Sequence, residues 1–595
     1  MTNRLLLESG VGTSYSHYGG QEAPGNPTRA IPRIVEQCAG PAPAGNTACA
    51  HGISNLTFGS QDWTSNQGFV LNWRGAASYV TGSHSMKLGY MAHYHRVNQN
   101  YSSNDTHLIY RLNHGIPNQL TMDLKPFKTG QRTRSEALYA QEQWTLGQLT
   151  LQGALRFDHA WSYFPDQQIG PVRFLPTGFA LPAQQGVKGY SDLTPRGGLA
   201  YDVFGNGKTS LKVNAGKYLE AATNHTTYSL SNPAARVAGS PVLGGPPAVT
   251  RSWADGNGNY VPDCDLLNPL ANTAGGDTCG QLSNLNFGRP VFSGSFDDAI
   301  LEGWGVRPAD WQFGASIQQQ LMTGVSVEVG YFRRWQQNFT VIDNRAVTAA
   351  DFDTFTITAP SDRRLPGGGG YSITGLYDVK AAKFGQSDSF TTWADNFGTQ
   401  STMYNGVLMN VTGRTKFGLT LQGGLNSGKT VTDNCEIRAA QPEIAVANPY
   451  CRDDPGFVTR VTGLSTYSVP KIDVLLSGTF RSDQGTPLAA NYVVTSAVAA
   501  QTLGRPLAGN VANVTVNLVG PGTVWGDRVN VFDVRVAKIL RVGRTRTNVG
   551  LDIYNLGNSS AVLNYNPAYN PTGNWLVPTS VVQARFAKVS ASIDF

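Results

Sequence analysis

The sequence predicts an all-β fold, a transmembrane antiparallel up-and-down β-barrel, on three observations. Apolar/polar alternations recur along the chain, the connections between them alternate short and long, and charged residues make up only 14% of 595 residues. The usual charged share is about 25%. Glycine is abundant at 67 residues while hydrophobic content is an ordinary 40%. Apolar residues spread singly along strands suit a wall between lipid and water. No run of about 18 apolar residues occurs, so no membrane-spanning helix is expected. The net charge of +6 is modest, and without a dense Lys/Arg block there is no support for nucleic-acid binding.

Alternation sets the faces. Leu149, Leu151, Leu155 and Phe157 fall on one side and Thr150, Gln152, Arg156 and Asp158 on the other. Leu419, Leu421 and Leu425 repeat this against Thr420, Gln422 and Asn426, as do Val549, Leu551 and Ile553 against Asn548 and Asp552. A period of two assigns the apolar set to lipid and the polar set to the lumen.

The short connections are 81–84, 147–148, 205–208, 323–324, 414–415, 469–470 and 542–544, several with the Gly, Asn or Pro of tight hairpins. Long polar segments lie between them: 19–68, 340–400, 430–456, 485–527 and, largest, a loop insertion at 221–307. Segment 100–133 is expected to add a small hairpin within a loop. The count is about sixteen strands, with short turns periplasmic and long loops extracellular.

Six cysteines form three sequence-local couples, Cys38/Cys49, Cys264/Cys279 and Cys435/Cys451, all in long connections. Six cysteines allow 15 connectivities, and local pairing is the simplest. Disulfide-bonded loops fit an oxidising compartment.

The final strand places Val589, Ala591, Ile593 and Phe595 on one face and Lys588, Ser590, Ser592 and Asp594 on the other. This aromatic-terminated apolar stripe is expected to serve as a C-terminal assembly signal for barrel-assembly machinery, with outer-membrane lipid as its surroundings. At the other end, Met1–Glu8 has only three consecutive leucines, too few for a secretory signal core. The expectation is therefore of further sequence upstream.

Four stretches carry a family resemblance. LYAQEQWTLGQLTLQGALRFD at 138–158 resembles a recurring hairpin of TonB-dependent receptors, and LTPRGGLAYDVFGNGKTSLKVNAGKYLE at 193–220 resembles the next. DWQFGASIQQQLMTGVSVEVGYFRR at 310–334 and VGLDIYNLGNSSAVLNYN at 549–566 are similar to later ones. The whole of 1–595 resembles the C-terminal barrel portion of an Oar-like member. The resemblance implies about 22 strands in a complete barrel, with N-terminal strands, plug, TonB box and signal peptide outside this sequence. It implies capture of an unknown ligand by extracellular loops and TonB-coupled uptake through the plug. A passive outer-membrane pore or surface adhesin of the same architecture is the first alternative, and a secreted all-β binding module the second.

No catalytic constellation stands out: there is no GxSxG, HExxH or phosphate-binding glycine loop, and an enzyme is not expected. The sharpest local motif spans 255–265, where oxygen-bearing side chains recur at Asp255, Asn257, Asn259, Asp263 and Asp265. Calcium takes 6–8 oxygens, and a glycine-rich turn can gather them. Tyr260 and Leu266 occupy the positions where an EF-hand has Gly and Glu, so this is no EF-hand. The alternative is a loop of Asx turns held by Cys264. Beyond this structural calcium no cofactor is expected. His93 and His95 share a strand face with Lys87 and read as polar lumen residues rather than metal ligands. Trp253, Tyr260, Trp304, Trp393 and Tyr404 are aromatic candidates for stacking on a ligand.

Overall fold

The computed structural model describes all residues except 1–3, 41, 48, 50–54, 222–231, 242–244, 291–294, 544, 572 and 595. Its principal sheet contains sixteen long antiparallel strands in sequence order. They are β1 (Leu5–Tyr18), β2 (Asn66–Thr81), β3 (His84–Ser102), β4 (Phe127–Leu146), β5 (Leu149–Phe164) and β6 (Gly189–Asp202). Next come β7 (Thr209–Leu219), β8 (Ala309–Met322), β9 (Val325–Gln337), β10 (Ser401–Arg414) and β11 (Leu419–Asp433). β12 (Val458–Val469), β13 (Val474–Asp483), β14 (Val529–Val542), β15 (Thr545–Tyr554) and β16 (Phe586–Asp594) complete the meander.

Every predicted short turn joins an even-numbered strand to the next odd one. Gly147 and Gly324 show why glycine is there. Both have positive φ, 57° and 83°, and a Cβ on Gly324 would lie 2.2 Å from the Arg414 carbonyl oxygen. L-residues with a Cβ avoid that conformation. Two long connections escaped the sequence reading, 165–188 and 555–585.

Register confirms the faces. Leu155 stands opposite Ala140 and Pro195, while Arg156 stands opposite Tyr139 and Thr194. Val549, Leu551 and Ile553 stand opposite Ala591, Val589 and Ala587 on the lipid side. Trp144 lies opposite Leu151 at the periplasmic end. Trp161, ten residues further along β5, belongs to the same face. At about 3.4 Å per residue and a tilt of about 40°, that climb is about 26 Å, the height of an apolar band between two aromatic girdles. Trp311 and Trp335, stacked with centroids 6.4 Å apart, continue the upper girdle on β8 and β9.

Among the described residues, β1 pairs with β2 alone and β16 with β15 alone. The outer edges of these sixteen strands are not paired to each other.

The extracellular loops are not the unstructured polar segments their composition suggests. They fold into two apolar cores. One gathers Leu108, Leu120, Met122, Ile169, Leu181 and Trp253 from the second, third and fourth loops, with Ile34 of the first against it. The expected hairpin is there, Leu108–Asn113 with Ile116–Asp123, and the strand Ala248–Ala254 of the largest loop pairs with it. The second core gathers Phe355, Leu376, Val494, Val516, Tyr569 and Trp575 from the fifth, seventh and eighth loops. The run Gly367–Gly370 is a fixed turn of this lobe. All four glycines have positive φ, and a Cβ on Gly369 would meet the Pro360 carbonyl oxygen at 2.0 Å.

Candidate binding surfaces of the lumen and loop crown

The lumen wall alternates ion pairs with flat aromatic rings. Lys87 Nζ donates to Glu8 at 2.6 Å between β3 and β1. Arg156 donates from Nε and Nη2 to both carboxylate oxygens of Asp158 at 2.9 and 2.8 Å. Arg334 Nη2 and Gln312 Nε2 converge on Asp310 at 2.7 and 2.9 Å. Arg535 Nη1 donates to Asp552 at 3.0 Å. Lys87–Glu8 reaches across β2, and the other pairs join neighbours on one face of a strand or across adjacent strands, which lets charges line a channel without isolation.

Glycines let the rings lie against the wall. A Cβ on Gly314 or Gly330 would come within 3.1 or 3.0 Å of the Phe332 ring, and one on Gly406 within 2.2 Å of the Tyr404 hydroxyl. Over these rings lies a cavity of about 410 Å³ lined by Asn214, Gln312, Phe332, Arg334, Tyr404 and Thr430. A second, of about 380 Å³, is lined by His93, Ser135, Arg156, Asp158, Thr194 and Arg196. Planar rings beside amide and guanidinium donors can stack on and hydrogen-bond a polar ligand. His93 is part of this surface, its Nδ1 2.8 Å from Asn72 Oδ1, and its neighbour His95 lies with ring centroid 6.1 Å away.

In the crown, the 255–265 segment is organised by nitrogen donors. Asp255 accepts from the backbone N–H groups of Gly258 and Tyr260, both at 2.8 Å. Asp263 Oδ2 accepts from the amides of Asn257 and Asn259 at 2.7 and 2.9 Å. Asp265 accepts from the Leu267 N–H at 3.0 Å. Among the described residues, the carboxylate oxygens of Asp255, Asp263 and Asp265 do not gather as a trio within 4.8 Å of one another. Among the described residues, the only trio of His, Cys, Asp or Glu ligand atoms within 4.8 Å of one another is Glu36, Cys38 and Cys49, and its sulfurs are bonded to each other. The arrangement at 255–265 is that of a loop of Asx turns.

Two buried polar residues hold that loop. Asp277, fully buried, accepts from Trp253 Nε1 at 2.9 Å and from the N–H groups of Asp263 and Gly256 at 3.1 Å. Burial pushes its carboxyl up, and these donors outweigh it, holding the group below the usual aspartate range. Arg251, 2% exposed, donates to the carbonyls of Gly280, Asn268 and Leu270. Neither residue is flagged by spacing in the sequence. The signal available was an acid two positions before Cys279 and an arginine inside an apolar strand.

All three expected cysteine couples are joined by disulfides. Cα separations are 5.6 Å for Cys38–Cys49, 6.2 Å for Cys264–Cys279 and 4.7 Å for Cys435–Cys451. The setting of Cys435 and Cys451 differs from the expected polar loop at 430–456. β11 runs on to Asp433, Cys435 opens a short helix (Cys435–Ala440), and Cys451 directly precedes the strand Arg452–Asp453. That strand pairs with Thr432 and Asp433 at the end of β11, and the Asn434 N–H donates to the Cys451 carbonyl at 3.1 Å. Cys451 thus extends the ladder of the wall rather than lying in an irregular loop. Composition missed this because backbone pairing, not side-chain polarity, orders the segment.

The aromatic candidates divide. Trp253 is 1% exposed and packs edge-on against Tyr110, so it is core and not a ligand platform. Trp304 packs against Phe157 on the lipid-facing side. Tyr260 is exposed and donates to the Gly115 carbonyl, and Trp393 lies in the loop strand Ser389–Trp393. Tyr404 alone faces the lumen cavity. Of the C-terminal residues, Val589 and Ile593 are exposed on the lipid side, and Phe595 lies outside the described residues.

The family model described as an outer membrane beta barrel domain matches residues 1–470. No curated protein matches the sequence. Among solved structures, the outer membrane transporter YddB from Escherichia coli is 10% identical, with 99% of this chain and 61% of that one covered and a TM-score of 0.49. The ferripyoverdine receptor of the outer membrane of Pseudomonas aeruginosa is 8% identical, with 99% and 53% covered and a TM-score of 0.44. BauA, the ferric preacinetobactin receptor from Acinetobacter baumannii, is 12% identical, with 100% and 61% covered and a TM-score of 0.42. The chain thus spans less than two thirds of the length of each. With a lipid-facing band between aromatic girdles, a polar lumen and a family model covering most of its length, this chain belongs to the outer membrane beta barrel domain family and is a protein of the bacterial outer membrane.

Proposed function

We propose that this chain is the barrel wall and ligand-capturing crown of a TonB-dependent receptor, coupled to the inner membrane through a plug encoded with it. The observation that carries the reading is the crown itself. Loops distant in sequence build two apolar cores above a lumen lined with paired charges and flat rings. A passive pore has no need of so much ordered structure at its mouth, whereas capture from outside calls for a shaped surface. The exposed edges of β1 and β16 add support. Backbone groups left unpaired in hydrocarbon cost several kcal/mol each, so a spanning sheet must close, and the additional N-terminal strands of the TonB-dependent family would join these edges. The chemistry is transport without bond making, with Arg156, Arg334 and the rings of Phe332 and Tyr404 contacting ligand on its way inward.

Mapping the transcript upstream of Met1 tests this. An in-frame plug domain is the expected result. A secretory signal directly before Thr2 would overturn the receptor reading in favour of a pore or adhesin.

A further inference from the structure

Three arginines stand at the outer rim on the lipid-facing side of β3 and β4. Arg96 and Arg132 are directly opposed across these strands, and Arg134 stands opposite Tyr94 one step lower. On β5, Tyr163 stands opposite Arg132 and Trp161 opposite Arg134. On β2, Phe69 stands opposite Arg96. The β3–β4 register runs without a shift from Leu88 and Leu138 to these arginines, so all belong to the face that meets lipid.

Their height is that of the upper girdle, the level of Trp161. Arg134 lies 5.0 Å from the Trp161 ring centroid and 5.8 Å from that of Trp73, and Arg96 lies 5.5 Å from that of Phe69. Arg134 is ion-paired with Glu136. Arg132 Nη1 donates to the Val97 and Gln131 carbonyls at 3.0 and 2.9 Å. Among the described residues, no carboxylate lies within ion-pair range of Arg96 or Arg132. Like charges directly opposite on a sheet face are destabilising, and here they sit where water gives way to headgroups.

Adjacent guanidinium forks match phosphate oxygens, and tryptophan and tyrosine settle at headgroup level.

We propose that Arg96, Arg132 and Arg134 form a docking surface for the phosphate-bearing headgroup of an outer-leaflet lipid. The anion bridges Arg96 and Arg132 and removes their repulsion. The proposal rests on the outer-membrane location and the register, not on the receptor reading. Arg333, beside Trp335 on the same face of β9, is a rim arginine without a directly opposed basic partner and serves as the comparison.

The test is native mass spectrometry of the full chain extracted from outer membranes in mild detergent. The wild type and Arg333→Gln should retain a phosphorylated lipid, and the double variant Arg96→Gln/Arg132→Gln should retain about tenfold less. Equal retention by the double variant, or equal loss in Arg333→Gln, overturns the proposal. If the double variant fails to insert, delipidated wild-type protein is offered vesicles with and without a phosphorylated glycolipid, and tryptophan fluorescence is read. A blue shift only with the phosphorylated lipid supports the docking surface. An equal shift with both, or full reversal by inorganic phosphate, overturns it.

Discussion

Trp253 Nε1 donates a 2.9 Å hydrogen bond to Asp277 Oδ2, with Trp253 1% and Asp277 0% exposed. The bond joins the strand that pairs with the second loop to the short strand Asp277–Cys279 beside it. The largest loop, paired to its neighbour through that strand, is therefore ordered internally by one carboxylate.

Replacing Asp277 by Ala should open this loop. Three donors, the Trp253 indole and the N–H groups of Asp263 and Gly256, lose their acceptor in a buried site. Leaving buried donors unsatisfied costs about 1–3 kcal/mol each. The expected outcome is rapid protease cleavage within 255–275 on intact cells, with cleavage of the wild type slow. Calcium chelation should leave wild-type cleavage unchanged, because the carboxylates of Asp255, Asp263 and Asp265 are engaged by N–H groups. Chelator-sensitive cleavage would support the calcium reading instead.

The Cys264–Cys279 disulfide spans a sequence separation of 15 residues in the same loop. Cross-linking a loop of that length stabilises by about 3 kcal/mol in the chain-entropy account. The double change Cys264→Ser/Cys279→Ser should speed cleavage of this loop and leave the sixteen-strand wall intact. Heat-modified gel mobility reports the wall, and proteolysis reports the loop. A variant that loses both would mean that the loop is needed for barrel assembly.

In the second lobe, Arg364 Nη2 donates to Asp362 at 2.7 Å and Tyr569 Oη donates to the same oxygen at 3.3 Å. The Arg364 guanidinium also reaches the Trp575 carbonyl at 3.3 Å and lies over the Trp575 ring. The Arg364 side chain, opposed by burial and helped by its own N–H and by Tyr569, holds the Asp362 carboxyl down at about 2 from 3.8. A depressed carboxyl stabilises the fold above its unfolded pKa and loses that contribution as pH falls through its folded one. The lobe should therefore be indifferent to pH above about 5 and loosen between about 4 and 2. Tryptophan fluorescence read against pH checks this, and Asp362→Asn should remove the acid transition. A transition unchanged in Asp362→Asn sinks the assignment.

What the sequence disclosed and what it hid follow from the range of the interactions. Leu155 and Arg156 could be assigned to opposite faces because alternation is a property of neighbours. The turn at Gly147-Gln148 could be read because a tight turn needs only its own residues. Trp253 could not be recognised as core, since its neighbours Tyr110 and Leu120 come from another loop. Asp277 stands outside the spacing of 255–265 and gains its role only when the chain folds back. Cys451 could be paired with Cys435 by proximity, but its place beside the ladder of β11 depends on a strand of two residues that no alternation announces. Arg96 and Arg132 become a pair only once register is known. Leu151, although lipid-facing, lies beside Trp144 at the lower girdle, so the sensitive depth of the wall also had to be read from the structure.

Leu155 sits near mid-height of the lipid face of β5, 51% exposed and between the levels of Trp144 and Trp161. An arginine near the bilayer midplane costs about 2–4 kcal/mol, and near the girdles about 0–1 kcal/mol. Leu155→Arg should therefore impair insertion more than Leu151→Arg. Gln152, on the lumen side, donates to Gln143 at 3.0 Å and stands opposite Gly198. The channel has room and water there, so Gln152→Arg should insert like the wild type. Urea unfolding in lipid vesicles ranks the three: Leu155→Arg least stable, Leu151→Arg intermediate, Gln152→Arg unchanged within about 1 kcal/mol. Equal losses for Leu155→Arg and Gln152→Arg would mean that the two faces of the wall are not lipid and water, and the girdle heights drawn from Trp144 and Trp161 would fall with them.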